Sequence, residues 1–264
     1  MKLAVRRSPA RQAVQGGFSM VEVAVSLVIA GLMSWAAFSG YETVTAQQEI
    51  ERGHAEAQQL QSLLRAFALR QGRLPCPDAS VTGAGYESLV AGECAPDVQV
   101  GWFPYVSVGL DIPVDKFRAH YSVFRASNPV AAEDADLAVV MERTSDTADA
   151  DSTTFRDATD LIKALNNASV LPVSSSRTFL TGDAGSAGPI DCGANLLMAA
   201  AYWIVIPLQD KDNDGSRFDA PHRSVAPLGL CASSPSVPVR FESDDVVVAE
   251  SPAQLAGWLR RSLP

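Results

Sequence analysis

The sequence predicts an α+β protein, in which one very long N-terminal helix precedes a head built on an antiparallel sheet. Three observations carry that expectation. Residues 42 to 71 hold no proline and a single glycine, Gly53, and their apolar positions recur with helical spacing. Alternation at 120 to 124 and compact apolar runs at 196 to 208 and 246 to 249 have the length and composition of strands. A second helix signal, Ser251-Pro252-Ala253-Gln254, comes close to the C-terminus. At 264 residues and 47% apolar composition, the chain has enough material for a real core.

The first 17 residues carry Lys2, Arg6, Arg7 and Arg11 and no acid, a local +4. The whole chain is at −9, so the remainder stands at −13. Residues 18 to 38 follow as an apolar run whose only charged group is Glu22. As a helix its 21 residues span about 31 Å, one membrane crossing. The basic flank predicts a cytoplasmic N-terminus, with everything after Tyr41 across the membrane.

Glu22 discriminates between readings of this segment. A cleaved secretory signal explains the arginines, but a carboxylate in its apolar core costs roughly 2.5–3.5 kcal/mol at a helix centre, less near the interface. A plain anchor tolerates Glu22, which at about 6 Å of depth can reach the surface. The stretch Gly17-Phe18-Ser19-Met20-Val21-Glu22 resembles the type IV prepilin signature: a basic leader ending in glycine, then phenylalanine, then glutamate at the fifth mature position. The resemblance implies cleavage between Gly17 and Phe18 by a prepilin peptidase, N-methylation of Phe18, and residence in the inner-membrane lipid until the subunit joins other pilins or pseudopilins in a filament. It also implies that Glu22 pairs with the Phe18 ammonium, of its own or a neighbouring subunit, and sets axial register, because an unpaired carboxylate in a dry helix bundle is costly.

Beyond the span, Ala57, Leu60, Leu64 and Phe67 form an apolar stripe, widened by Leu63 and Ala68. Residues 47 to 54 show no apolar face and are expected to be solvated or packed against other subunits. Gly72 and Pro75 cap and stop the helix. The chain thus divides into a leader, 1–17, a helix, 18–72, and a periplasmic head, 73–264.

The head opens with GRLPCPD, 72 to 78, and continues with GWFPYVSVGLDIPVDKFRAHYSVF, 101 to 124. Both are similar to elements of a group of larger prepilin-type proteins, the second through Gly101, Pro104, Tyr105, Gly109, Leu110, Asp115, Phe117, Tyr121 and Val123. Phe103 stands where leucine is common and Phe117 where tryptophan is. The resemblance implies a pilin-like fold, with the helix packed on the sheet. Residues 126 to 190 are less regular, and 146 to 154 (DTADADSTT) has the composition of a solvated loop. Within them Phe155, Ala158, Ile162 and Leu165 predict a helix capped by Ser152 or Thr153, and 137 to 141 a strand. GDAGSAG, 182 to 188, lacks the lysine of a phosphate loop and the spacing of a nucleophile elbow, and is expected to be a flexible loop. The run at 196 to 208 is too short for a second span and suits one central strand. In the terminal helix Leu255, Trp258 and Leu259 face inward, and Arg260 and Arg261 complement the helix dipole. Asp244-Asp245-Val246-Val247 resembles the closing segment of the same group.

Four cysteines in an exported chain predict two disulfides. Cys76 with Cys94 and Cys192 with Cys231 close the shortest segments; the other two pairings stay open. A zinc site is disfavoured, since no CxxC occurs and His54, His120 and His222 lie near no cysteine. A pI near 4.8 with no basic cluster after residue 17 argues against nucleic acid.

DKDNDGSRFD, 210 to 219, places Asp210, Asp212 and Asp214 at alternate positions before Gly215, the first half of an EF-hand-type calcium loop. Position twelve is Pro221, so the usual glutamate is missing and Asp219, Glu242 or Asp245 must complete the shell. The competing reading is a polar turn with solvated aspartates. Several pseudopilins, the resembled class, use calcium to order a C-terminal loop.

The expected function is that of a structural, non-enzymatic subunit: a minor pilin or pseudopilin of a type IV pilus or type II secretion apparatus. A periplasmic hydrolase or binding protein with an N-terminal anchor or signal is the alternative from another class, although no histidine sits in a nucleophile or metal pattern. A pilus-tip adhesin using Trp102 or Tyr105 is a third.

Overall fold

The computed structural model describes residues 19–144, 157–182, 190–193, 196–210, 215–222, 229–237 and 243–263. The chain divides into two compact units, one ending at Gln48 and one beginning at Glu49. The loop expected at 146 to 154, the two cap candidates Ser152 and Thr153, Phe155 and most of GDAGSAG lie outside the described residues.

Helix α1 (Met20–Gln71) is unbroken. From Met20 to Val44 its large apolar side chains are exposed at successive positions such as Leu27, Val28 and Ile29, so no face is reserved for a core. It is long and apolar enough to cross a membrane. In its second half Ala57, Leu60, Leu64 and Phe67 are buried, on the predicted stripe. Docking begins earlier than the stripe indicates. Ile50 packs on the core, Gln209 donates to Glu49, and a Cβ on Gly53 would lie 2.7 Å from Leu208 Cδ2 and 3.1 Å from Val246 Cγ2. Of the stretch expected to be solvated or packed on other subunits, residues 49 to 53 are therefore docked on the head, in part through an absent side chain that a hydrophobic pattern does not register. Gly72, at φ +62°, ends the helix, its N–H donating to Ala68 O at 3.0 Å.

After a short hairpin of β1 (Leu89–Val90) and β2 (Glu93–Cys94) come the strands of two sheets. An antiparallel sheet orders β3 (Val100–Trp102), β4 (His120–Val123), β7 (Tyr202–Ile206) and β9 (Val246–Glu250) side by side. A second sheet runs β6 (Leu196–Ala199), β5 (Phe179–Thr181), β8 (Cys231–Ser233), and its β5–β8 pair is parallel, so the head is not purely antiparallel. The run expected as one central strand is thus two, β6 and β7, in different sheets. They part at Ala200 and Ala201, whose N–H groups donate to Thr178 O and Glu250 O respectively.

Every residue of β7 is buried. Tyr202, Ile204 and Ile206 pack in the cluster shared with α1, α2 (Ala158–Val170) and α3 (Pro252–Ser262), while Trp203 and Val205 pack with Leu180, Leu230 and Ala232. A strand covered on both faces needs apolar residues at every position, which is why its sequence shows no alternation.

Two local expectations are corrected. The cap of α2 is Asp157, whose carboxylate accepts from Thr159 N at 2.6 Å within a capping box completed by Asp160. Residues 137 to 141 form turns, not a strand. There the buried Arg143 bonds Asp134, and its Nη2 also donates to Asp136 O at 2.8 Å and Val139 O at 3.3 Å. Carbonyls drawn to one guanidinium are lost to a strand ladder.

Cys76–Cys94 and Cys192–Cys231 are bonded. The GRLPCPD stretch forms the joint between α1 and the sheet: Arg73 pairs with Glu87, Leu74 is fully buried, Pro75 O accepts from Tyr121 Oη at 3.0 Å, and the Asp78 carboxylate accepts from Ser80 N and Gly85 N.

Candidate functional site

Among the described residues, two places carry chemistry. At the start of α1, Ser19 Oγ accepts from Glu22 N at 3.2 Å and Glu22 Oε2 accepts from Ser19 N at 2.8 Å. This is a reciprocal capping box, S-x-x-E, which satisfies two of the N–H groups that a helix N-terminus leaves unpaired. Glu22 therefore has a local partner in the single chain, which sequence reasoning missed although the spacing was there. Gly17 and Phe18 lie outside the described residues.

The second place is in the head. Asp219, Asp244 and Asp245 are buried, and one ligand atom from each lies within 4.8 Å of the others. The residues just before β9 supply Asp244 and Asp245, and the backbone draws Asp219 to them. Asp219 N donates to Asp245 Oδ2 at 3.1 Å and Asp244 N to Asp219 Oδ2 at 2.7 Å. His222, fully enclosed, places Nδ1 2.9 Å from Asp245 Oδ2, while its Nε2 accepts from Ser233 N at 3.3 Å. The donor on Nε2 fixes the neutral ring with its proton on Nδ1, and both ring nitrogens are engaged.

Burial pushes the Asp219 carboxyl up to about 7, with the Asp244 N–H opposing and the Asp245 and Asp244 charges adding. Burial also raises Asp245, against the His222 hydrogen bond. The Asp219 and Asp245 carboxyls, both raised, hold a proton between them unless a cation offsets their charge. Asp245 Oδ1 is buried with no hydrogen-bond partner among the described residues, and a cavity of about 100 Å³ lined by His54, Ser234 and Asp245 opens beside it. An all-oxygen set of this kind suits a hard divalent cation such as calcium rather than zinc.

Of the residues expected to supply the shell, Asp219 and Asp245 belong to this cluster. Asp212, Asp214 and Glu242 lie outside the described residues, and Asp210 is not in the cluster; its Oδ2 accepts from Gly215 N at 3.1 Å, a local turn bond. Asp245 was one of the alternatives for completing the shell, whereas Asp244 and His222 were missed. The available signal was a pair of acids, Asp244-Asp245, set directly against a strand that must be buried. Of the two aromatics considered for adhesion, Tyr105 is core, accepting from Ala119 N at 2.9 Å, and Trp102 packs on His120 and Phe218.

Comparison with models of protein families, with curated proteins and with solved structures finds no match.

Proposed function

We propose that this protein is a minor pilin or pseudopilin: a subunit that a prepilin peptidase cuts after Gly17, that waits in the inner membrane with its head in the periplasm, and that enters a filament through α1. The observation that carries this reading is the division of labour along one helix. Its first half exposes apolar side chains on all sides behind Glu22, and its second half buries a stripe in the head. A helix apolar all round needs lipid or other helices about it, and a filament core supplies the second when the first is left. The two disulfides fit an oxidising compartment. Bulky heads crowd a helical lattice, and a head of this size favours a subunit at low copy number or near the tip.

Mass spectrometry of the mature N-terminus tests this. An N-methylated Phe18 is the expected result. A terminus near Gly40 would overturn the reading and leave a soluble periplasmic protein, reopening binding and hydrolytic functions.

A further inference from the structure

We propose that the open edge of β6 receives an extended, uncharged segment of a partner protein as an added strand. Phe179 of β5 gives its N–H to Leu230 O, towards β8, and Ala200 N donates to Thr178 O. Around this point Met198 and Ala200 therefore bond to β5, while the N–H and C=O of Ala199, opposite Phe179, face the other way. Among the described residues no hydrogen-bond partner meets them.

Two other sheet edges are closed. Asp78 exchanges backbone hydrogen bonds with Trp102 beside β3, and the N–H of Ser233 in β8 goes to His222 Nε2. β6 ends its sheet with no such cover, and it carries neither the lysine nor the proline that blunts natural edges. Its sequence is Leu-Leu-Met-Ala, with Leu196 38% and Leu197 47% exposed. β9 stops at Glu250, whose O accepts from Ala201 N, and the chain then turns into α3. The place beside β6 that a longer β9 would fill is left as a groove of about 230 Å³, walled by Leu171 and Val173 at the end of α2, Leu197 and Ala199 of β6, and Pro252 of α3. No charged residue lines it. Arg177, close to its rim in sequence, is engaged with Pro172 O and the Phe124 ring.

The chemistry of the place selects the occupant. Lipid tails have nothing to offer the Ala199 N–H and C=O. A charged segment would lose its water in the groove and find no counter-ion. A second copy would bring another −9 against the −9 of this chain, whereas a short neutral segment meets no such repulsion. An extended segment supplies main-chain hydrogen bonds to the edge and one apolar side chain to the groove. None of this depends on the filament reading.

The test uses full-length protein in neutral detergent and the labelled peptide acetyl-Thr-Val-Thr-Val-Thr-amide. Saturable binding is expected, changing by less than about twofold from about 20 to about 200 mM NaCl, because no ion pair forms. Two versions of the peptide, N-methylated on alternate backbone amides, distinguish an added strand from mere apolar contact: one is expected to lose about tenfold or more in affinity and the other to keep it, since only one edge of the peptide meets β6. L197K, a charge set on the edge at an exposed position, is expected to bind about tenfold more weakly, while V81K, at a residue 96% exposed and outside the groove, binds as wild type. If L197K does not melt as wild type does, V173K on the facing wall takes its place with the same expectation. Absence of peptide binding, equal affinities of the two methylated peptides, equal effects of L197K and V81K, or tighter binding when aspartate or lysine replaces the threonines of the peptide would each overturn the proposal. Concentration-dependent dimerisation that L197K abolishes would overturn it too, by giving the edge to a second copy.

Discussion

Replacing Glu22 by glutamine keeps an oxygen that can accept from the Ser19 N–H but removes the charge, whereas alanine removes both. The pair of variants therefore separates a helix cap from a partner for a free amine. If the charge sets register in a filament, E22Q and E22A both fail to incorporate, as read by immunoblotting of sheared filaments. If the cap alone matters, E22Q assembles as wild type and only E22A is impaired, by about 1 kcal/mol of helix-end stability. His120 offers a second residue-scale experiment. It is stacked on Phe218 at 3.6 Å, and burial lowers its pKa to about 3, against a hydrogen bond with the His222 backbone. An unfolded histidine takes up a proton below about 6.5 and the folded one does not, so this group costs stability as pH falls from 6.5 towards 3. The slope is at most about 1.4 kcal/mol per pH unit. Asp219 works in the opposite sense between about pH 4 and 7, since its folded form holds the proton more tightly. Comparing wild type with H120F isolates the histidine: the variant's advantage in thermal melting should widen as pH drops from 7 to 4, and a constant difference would refute the assignment.

The elements differ in how openly the sequence announces them. The C-terminal half of α1 and α3 were legible because period and capping point the same way, and β9 because its apolar run is short and bounded: Ser251 and Gln254 form the expected box, and Leu255 and Leu259 are buried beneath it. The turns at 137 to 141 were not, because Arg143, the residue that organises them, lies beyond the apolar run and acts through contacts distant in sequence. The split between β6 and β7 was hidden for a related reason, since Ala200 and Ala201 look like strand interior until two different sheets claim their N–H groups. Gly53 marks the same limit within α1. In an exposed helix, glycine to alanine would add about 1 kcal/mol of propensity, but here any larger side chain meets Leu208 and Val246. G53L is accordingly expected to destabilise the head by about 1–3 kcal/mol through overpacking, despite leucine being the better helix former. Chemical denaturation measures this, and an increase in stability would mean that the close approach of α1 does not exist.

For the whole molecule, the buried acids connect two sheets and two stretches of chain that are far apart in sequence. Asp219 and His222 come before β8; Asp244 and Asp245 immediately precede β9; and Ser233 of β8 donates to His222. Whatever neutralises this cluster therefore stabilises the packing of the four-stranded sheet against the three-stranded one, and not merely a surface loop. Near neutral pH Asp219 holds its proton only in part, since its pKa is raised to about 7. A divalent cation would displace the proton and bind more tightly as pH rises, because its ligands must be ionised. Calcium at about a hundred times its dissociation constant would contribute about 2.7 kcal/mol, which in a head of this size corresponds to roughly 5–10 °C in melting temperature. Full-length protein in detergent should therefore melt higher in calcium than in EDTA at pH 8, with a smaller difference at pH 5, where protons occupy the carboxylates. D245N should abolish the calcium response at both pH values, while D210N, at a residue outside the cluster, should keep it. An identical melt in calcium and EDTA at pH 8 would assign the cluster to protons alone, and a response lost in D210N but kept in D245N would return the site to the loop that begins at Asp210.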